Sequence, residues 1–346
     1  MKIALVTIYD EKNYGNRLQN FALQKFLTNM GHEVKTIVYR SPIGKLHWGI
    51  VNMLLEDNMK KRRKNFLKFI DENIYEVKPK NLKNVSNDFD VFIVGSDQIW
   101  NPHFCENSKL KFLKFTDKRK RVAYAPSIGV SKLPKRFEKS YKIGISNFSS
   151  LSIRESAGAE IIKKLGINNT KVLVDPTMLL TKEEWQAAIS KTSIYFNRPY
   201  LLTYFLGSKK NYEQRIKNIA SKYGLDIINL NDLSQPNYYS IDPFEFVNYI
   251  GNAKIVCTDS FHGAVFSILN RVPFLIFNRQ DNVKSMNSRM DTLLEKTNLN
   301  NRLAVSIDDK DIFSIDFSEA EGLLEKEREM SKNFLEEAFK KVIEND

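Results

Sequence analysis

The sequence predicts an α/β protein made of two Rossmann-like domains facing a cleft. Three observations predict it. Apolar, β-branched runs of strand length alternate with helix-period runs along nearly the whole chain. Polar turns recur at the carboxyl ends of the strand runs, where open parallel sheets place their ligands. The 346 residues suffice for about two domains.

In chain order, residues 2–8 form a continuous apolar strand. The loop from Tyr9 to Asn16 leads into a helix over 17–30, with Leu18, Phe21, Ala22, Leu23, Phe26 and Leu27 at helical spacing and Gly31 as its stop. Residues 33–39 are the next strand. The loop lacks Gly-x-Gly-x-x-Gly, so a dinucleotide is not the expected ligand. Asn13, Gly15 and Asn16 instead offer a helix start suited to an anion or a hydroxyl-rich ligand. Residues 40–84 read as mostly helical, basic and amphipathic. A strand over 90–94 ends in Gly95-Ser96-Asp97-Gln98. Further strands are expected at 121–125, at 151–153 ahead of Arg154-Glu155, and at 171–174 ahead of Asp175-Pro176-Thr177.

A boundary falls at 176–182, where Pro176 breaks one element and Thr181 opens a helix with a capping-box pattern. The expected domains are 1–178 and 179–316, with a tail helix over 317–346 that can pack back on the first domain. In the second domain, 200–206 and 225–230 are strands and 242–250 is a helix. Residues 254–277 then make a strand–helix–strand unit around the turn Asp259-Ser260-Phe261-His262-Gly263. Residues 288–294 are helical.

Apolar residues make up 42% and charged residues 27%, ordinary values for a folded chain, and the net charge is +12. That charge favours an anionic partner without choosing among phosphorylated metabolites, anionic lipid and nucleic acid. The aromatic-plus-basic modules of RNA binders are missing, so nucleic acid is not expected. The run Lys60-Lys61-Arg62-Arg63-Lys64 reads as a solvated helix face. Two cysteines, Cys105 and Cys257, give no disulfide framework and no metal-type spacing, and no metal or cofactor is expected. With no signal-peptide pattern and no apolar run of ~18 residues, the expectation is a soluble, intracellular protein able to rest on a membrane surface.

Polar residues in four stretches carry candidate chemistry. His262, at the start of a helix, can donate to an oxyanion or pass a proton. Asp259 and Ser260 read equally well as mere helix caps. Arg154 offers a planar fork for carboxylate or phosphate, or else a surface ion pair. Asp97 and Gln98 can bind sugar hydroxyls or cap the next helix, and Asp97 can also act as a general base. Arg289 is a second anion contact or a helix-face charge.

Five stretches, in order, resemble the polysaccharide pyruvyl transferases: Asn13-Tyr14-Gly15-Asn16 with Leu18-Gln19, 94–101, Ser152-Ile153-Arg154-Glu155, Val174-Asp175-Pro176-Thr177, and 258–263. The resemblance implies a GT-B-like fold and metal-independent transfer of a pyruvyl group from phosphoenolpyruvate to a sugar of a glycan or its precursor, giving a cyclic ketal. It implies a cytoplasmic enzyme, peripheral at the inner membrane face if its acceptor is lipid-linked; a nucleotide-linked acceptor is the other option. His262 and Arg154 fall on the family's active-site positions. Ser260, Phe261, Gly263 and Arg289 would address the donor, and Asn13, Gly15, Asn16, Asp97 and Gln98 the acceptor. Some relatives carry arginine where this chain has Ser260, which removes one anion contact; Arg289 or Lys284 are the cations able to replace it. Two other readings stand beside this one: a GT-B-type glycosyltransferase using a nucleotide sugar, and a non-catalytic protein that binds anionic ligands.

Overall fold

The structure is a computed structural model that describes residues 1–39, 55–104, 108–190, 194, 196–280 and 288–344. Lys284, Cys105 and the 40–54 part of the basic stretch lie outside the described residues. The chain divides into two compact units, Met1–Leu54 with Ile70–Leu179 and Glu325–Asp346, and Leu55–Phe69 with Leu180–Leu324.

The first unit is built on a seven-stranded sheet: β1 (Lys2–Val6), β2 (Glu33–Ile37), β3 (Glu76–Val77), β4 (Val91–Val94), β5 (Arg121–Ala123), β6 (Ser150–Ile153) and β7 (Lys171–Val172). Its order is β3-β2-β1-β4-β5-β6-β7, and every neighbour runs parallel. Helices cover such sheets on both faces, which is why β4 and β6 are buried at every residue. Helix α1 (Tyr14–Asn29) starts three residues before its apolar period does, because the Asn13 side chain caps it by accepting from Asn16 N at 3.1 Å. Gly15 and Asn16 therefore sit in the first helical turn. Gly31, at φ +88°, takes the left-handed position that ends α1. The order reverses between β1 and β4, so the loops after these two strands flank the sheet's switch point.

Helix α2 (Asp57–Asn73) has its residues up to Phe69 in the second unit. Arg62 points inward: it donates to Asn231 Oδ1 at 3.3 Å, with its guanidinium carbon 4.8 Å from the Tyr239 ring centroid. Asn65 Nδ2 donates to Ser240 O at 2.6 Å. Lys60, Lys61, Lys64 and Lys68 are exposed, so only part of the basic run is a solvated face. Helices α3 (Ser108–Lys111), α4 (Lys135–Ile145) and α5 (Ser156–Lys164) complete the main body of the first unit.

The second unit opens with α6 (Lys182–Ile189), whose Thr181–Glu184 capping box forms as its sequence predicts. There follow β8 (Tyr200–Tyr204), α7 (Glu213–Lys222), β9 (Asp226–Asn229), α8 (Pro236–Tyr239), α9 (Pro243–Asn252), β10 (Ile255–Thr258), α10 (Phe261–Asn270), β11 (Phe274–Ile276), α11 (Ser288–Lys296) and α12 (Ser318–Glu344). Residues of α12 from Glu325 onward belong to the first unit. The sheet order is β11-β10-β8-β9, all parallel, with the switch point between β8 and β10. Leu201, Ile255, Cys257 and Leu275 carry its core against Ile216 and Ile219 of α7. Burial pushes the Cys257 thiol up to about 12, so it packs as a small apolar group.

Candidate active site

In the first unit, a polar network lies at the carboxyl ends of the strands. The Asn16 amide donates to Asp97 Oδ2 at 3.0 Å, which joins the loop after β1 to the loop after β4 across the switch point. Asn16 Oδ1 in turn accepts from Asp10 N at 3.1 Å and from Arg17 Nε at 3.0 Å. Asn16 is therefore held by the protein itself, between Asp10, Arg17 and Asp97. Asp97 has φ 60° and ψ −170°, a region that costs a non-glycine residue about 1–3 kcal/mol. Ser127 N donates to its carbonyl at 2.8 Å, one of the bonds that maintain this conformation. Gln98 is partly exposed and accepts from Asn101 Nδ2 at 2.7 Å.

Arg154, at the end of β6, is buried among three carboxylates. Its Nη1 donates to Asp175 Oδ2 at 2.6 Å, Nη2 lies 3.7 Å from Asp97 Oδ1, and Nε lies 4.0 Å from Glu155 Oε2. Burial works against its charge, but the fields of Asp175, Asp97 and Glu155 outweigh that and strengthen its hold on the proton. Glu155 is no surface partner: its Oε1 accepts from Ser127 Oγ at 3.0 Å, Ile128 N at 2.9 Å and Gly129 N at 3.1 Å. Asp175 accepts from Ser96 Oγ at 2.9 Å and from Thr177 Oγ1 at 2.7 Å. The structure thus brings Asn13, Gly15, Asn16, Asp97, Gln98 and Arg154 into one region of the first unit. Asp175, which the sequence offers only as part of a motif, and Glu155, which it offers as a surface partner, both lie buried around Arg154.

In the second unit, His262 is the second residue of α10 and is 7% exposed. Ser260 is the cap of that helix, its side chain accepting from Gly263 N at 3.4 Å. Asp259 does not cap it. Its carboxylate accepts from Leu206 N at 2.7 Å and Gly207 N at 2.8 Å, bridging β8 and β10 at the switch point. Thr258 Oγ1 donates to Tyr204 O at 2.5 Å and accepts from Ser260 N at 3.0 Å, which fixes the turn before His262. Gly263 must stay bare, because a Cβ there would lie 2.6 Å from that hydroxyl. The Phe261 and His262 rings meet edge to face at 5.2 Å. Arg289 is buried in the first turn of α11, a helix that packs against α10.

Burial raises the proton affinity of Asp259 above the usual carboxylate range, against the opposing pull of the Leu206 and Gly207 amides and Arg279. A raised folded-state value means that this group's contribution to stability is complete below the ordinary carboxylate range and is lost as pH rises through the raised value. Wild type should therefore gain stability relative to Asp259→Asn as pH falls from 7 toward 4. Urea unfolding of both proteins across that window checks this; a constant difference would contradict it.

Among the described residues, no group of three or more His, Cys, Asp or Glu is placed to hold a metal, and no helix is long and apolar enough to cross a membrane.

The family model for polysaccharide pyruvyl transferases matches residues 13–282. No curated protein matches the chain in sequence. Among solved structures, the chain is similar to a Listeria monocytogenes protein named as a candidate UDP-N-acetylglucosamine 2-epimerase, with TM-score 0.52 and 10% identity over 99% of this chain and 90% of that one. It is also similar to MnaA of S. aureus, solved with UDP, with TM-score 0.51 and 11% identity over 90% of this chain and 86% of that one. At these identities the likeness is one of fold, and it makes the α/β architecture GT-B-like.

Proposed function

The chain belongs to the polysaccharide pyruvyl transferase family and is a transferase, and from that premise we propose that its donor is phosphoenolpyruvate and its product a cyclic pyruvate ketal on one sugar of a glycan or glycan precursor. What carries the reading is the placement of His262, in the first turn of the helix that follows β10, beside the switch point of the second sheet. A helix start there favours a phosphate or carboxylate, and an imidazole beside it can move a proton.

The chemistry then follows. Protonated His262 gives a proton to C3 of the enol, which leaves C2 electron-poor. An acceptor hydroxyl adds to C2, and its proton returns to the imidazole. The bond from C2 to the phosphate oxygen breaks, the second hydroxyl closes the ring, and its proton leaves on the phosphate. Phe261, Ser260 and Gly263 shape the donor end, and Arg289 supplies charge behind them. Asp97 is assigned to an acceptor hydroxyl: the strain at its backbone is kept by Asn16 and Ser127, and such strain collects where function needs it. Gln98 and the Asn13–Asn16 turn support the same acceptor. Arg154 is assigned to holding Asp97 and Asp175 in place, since its guanidinium already faces both. A lipid-linked acceptor would bring the protein to an anionic surface, and the exposed lysines of α2 suit that contact.

The test is an assay of purified protein with phosphoenolpyruvate and a panel of free, nucleotide-linked and lipid-linked sugars. Release of inorganic phosphate with a ketal on the sugar is the expected result. Transfer from a nucleotide sugar, with none from phosphoenolpyruvate, would overturn the proposal in favour of a glycosyltransferase. The likeness in fold to a protein solved with UDP makes nucleotide sugars the right comparison.

A further inference from the structure

The turn at the start of α10 presents Ser260, which carries no charge, next to Asp259, whose carboxylate is negative when ionised. A donor with a phosphate and a carboxylate needs a fixed cation here. The described residues place one at the end of the neighbouring strand. Arg279 follows β11 by three residues, and the chain on both sides of it is tied to the loop after β8. Tyr212 Oη donates to Asn278 O at 2.9 Å, and Ser208 N donates to Gln280 O at 3.2 Å. Gln280 Nε2 closes the set by donating to Tyr212 Oη at 2.8 Å.

Between these anchors the Arg279 stem lies over Gly207. A Cβ on Gly207 would be 3.0 Å from Arg279 Cγ, 3.1 Å from Asp259 Oδ2 and 3.1 Å from Gln280 O. Glycine at 207 therefore lets three things come together: the arginine stem, the carboxylate that bridges β8 and β10, and the loop after β11. Arg279 is half-buried, and its charge favours the ionised form of Asp259. Its planar fork can face a carboxylate with one edge and an incoming anion with another.

We infer that Arg279 is a cation that meets the charged end of the donor at the His262 turn, beside the Asp259 carboxylate and over Gly207. The inference rests on the pyruvyl-transfer reading. It makes Gly207 a positioning residue and Asp259 the group that orients the guanidinium.

Calorimetric titration with phosphoenolpyruvate tests it, on wild type, Arg279→Gln and Arg279→Lys, alongside KM and kcat for each. Loss of one charge-assisted contact should weaken donor binding and raise KM about 10–100-fold in Arg279→Gln, with a smaller change in kcat. Arg279→Lys should recover part of the affinity. If Arg279 merely pairs with Asp259, Arg279→Gln would lower the urea midpoint and leave donor affinity unchanged; that result overturns the inference and leaves pyruvyl transfer standing. A folded wild type that binds no phosphoenolpyruvate, alone or with acceptor present, overturns both.

Discussion

Replacing His262 by alanine is expected to lower the rate of pyruvyl transfer about 10²–10⁴-fold, the usual yield of a positioned acid–base group. The argument starts from the turn. Thr258, fixed between Tyr204 O and Ser260 N, sets the approach to α10, and Ser260 caps it. The ring of His262 is thereby held in the first helical turn with only 7% of the residue exposed. The side chain contributes packing against Phe261 but is not among the large apolar groups of the core, so the second unit should keep its fold. His262→Gln separates two roles. A glutamine can still donate a hydrogen bond to phosphate but cannot deliver the proton to C3. If proton transfer is the larger role, Gln and Ala variants fall together in kcat while the Gln variant keeps more of the donor affinity. Urea midpoints of both variants close to wild type would show that the loss is chemical. Near-normal turnover by a folded His262→Ala would remove this histidine from the mechanism.

The fold was readable wherever the signal was local. Apolar runs located ten of the eleven described strands within a few residues at each end, and the capping box at Thr181 forms as its spacing demands. The two-residue strand β3 was hidden in the basic stretch, because an edge strand of that length has no period to detect. Helices α4, α5 and α7 are amphipathic but short, nine to eleven residues against sixteen in α1, so few turns repeat their pattern. The site was readable as a set of polar turns, and not as a set of partners. Asp259 looked like a helix cap from its position, yet it binds amides more than fifty residues earlier, at Leu206 and Gly207. Arg154 and Glu155 looked like a surface pair, yet both are buried, and Glu155 spends one oxygen on Ser127, Ile128 and Gly129. Such pairings depend on which strand lies beside which, and no local window carries that information. The left-handed backbone of Asp97 was likewise invisible, since it is maintained by Asn16, far upstream, and Ser127, far downstream.

Removing the charge of Arg154 should cost the first unit about 3–5 kcal/mol, the range for breaking a buried ion pair from one side. The guanidinium is 3.7 Å or less from oxygens of Asp175 and Asp97 and 4.0 Å from one of Glu155. In Arg154→Leu these carboxylates face one another without a cation between them, in a place that water reaches poorly. Asp97 and Asp175 should then bind their protons more tightly in the folded state than in the unfolded chain. For carboxylates shifted in that direction, the lost stability returns as pH falls below the raised values and is complete only below the ordinary carboxylate range. The deficit of Arg154→Leu relative to wild type should therefore be largest near neutral pH and shrink toward pH 4. Adding Asp175→Asn to Arg154→Leu removes one of the stranded charges and should restore part of the stability. Urea unfolding of the single and double variants at both ends of that pH window measures both effects. A deficit that does not change with pH would assign the loss to packing alone. Activity offers a further separation: if Arg154 acts by keeping Asp97 in its strained pose, Arg154→Lys should hold the fold and bind donor nearly as wild type does, yet turn over slowly, because an ammonium cannot face Asp175 and Asp97 with two edges at once. Donor affinity that collapses in Arg154→Lys would instead place the guanidinium on the donor itself.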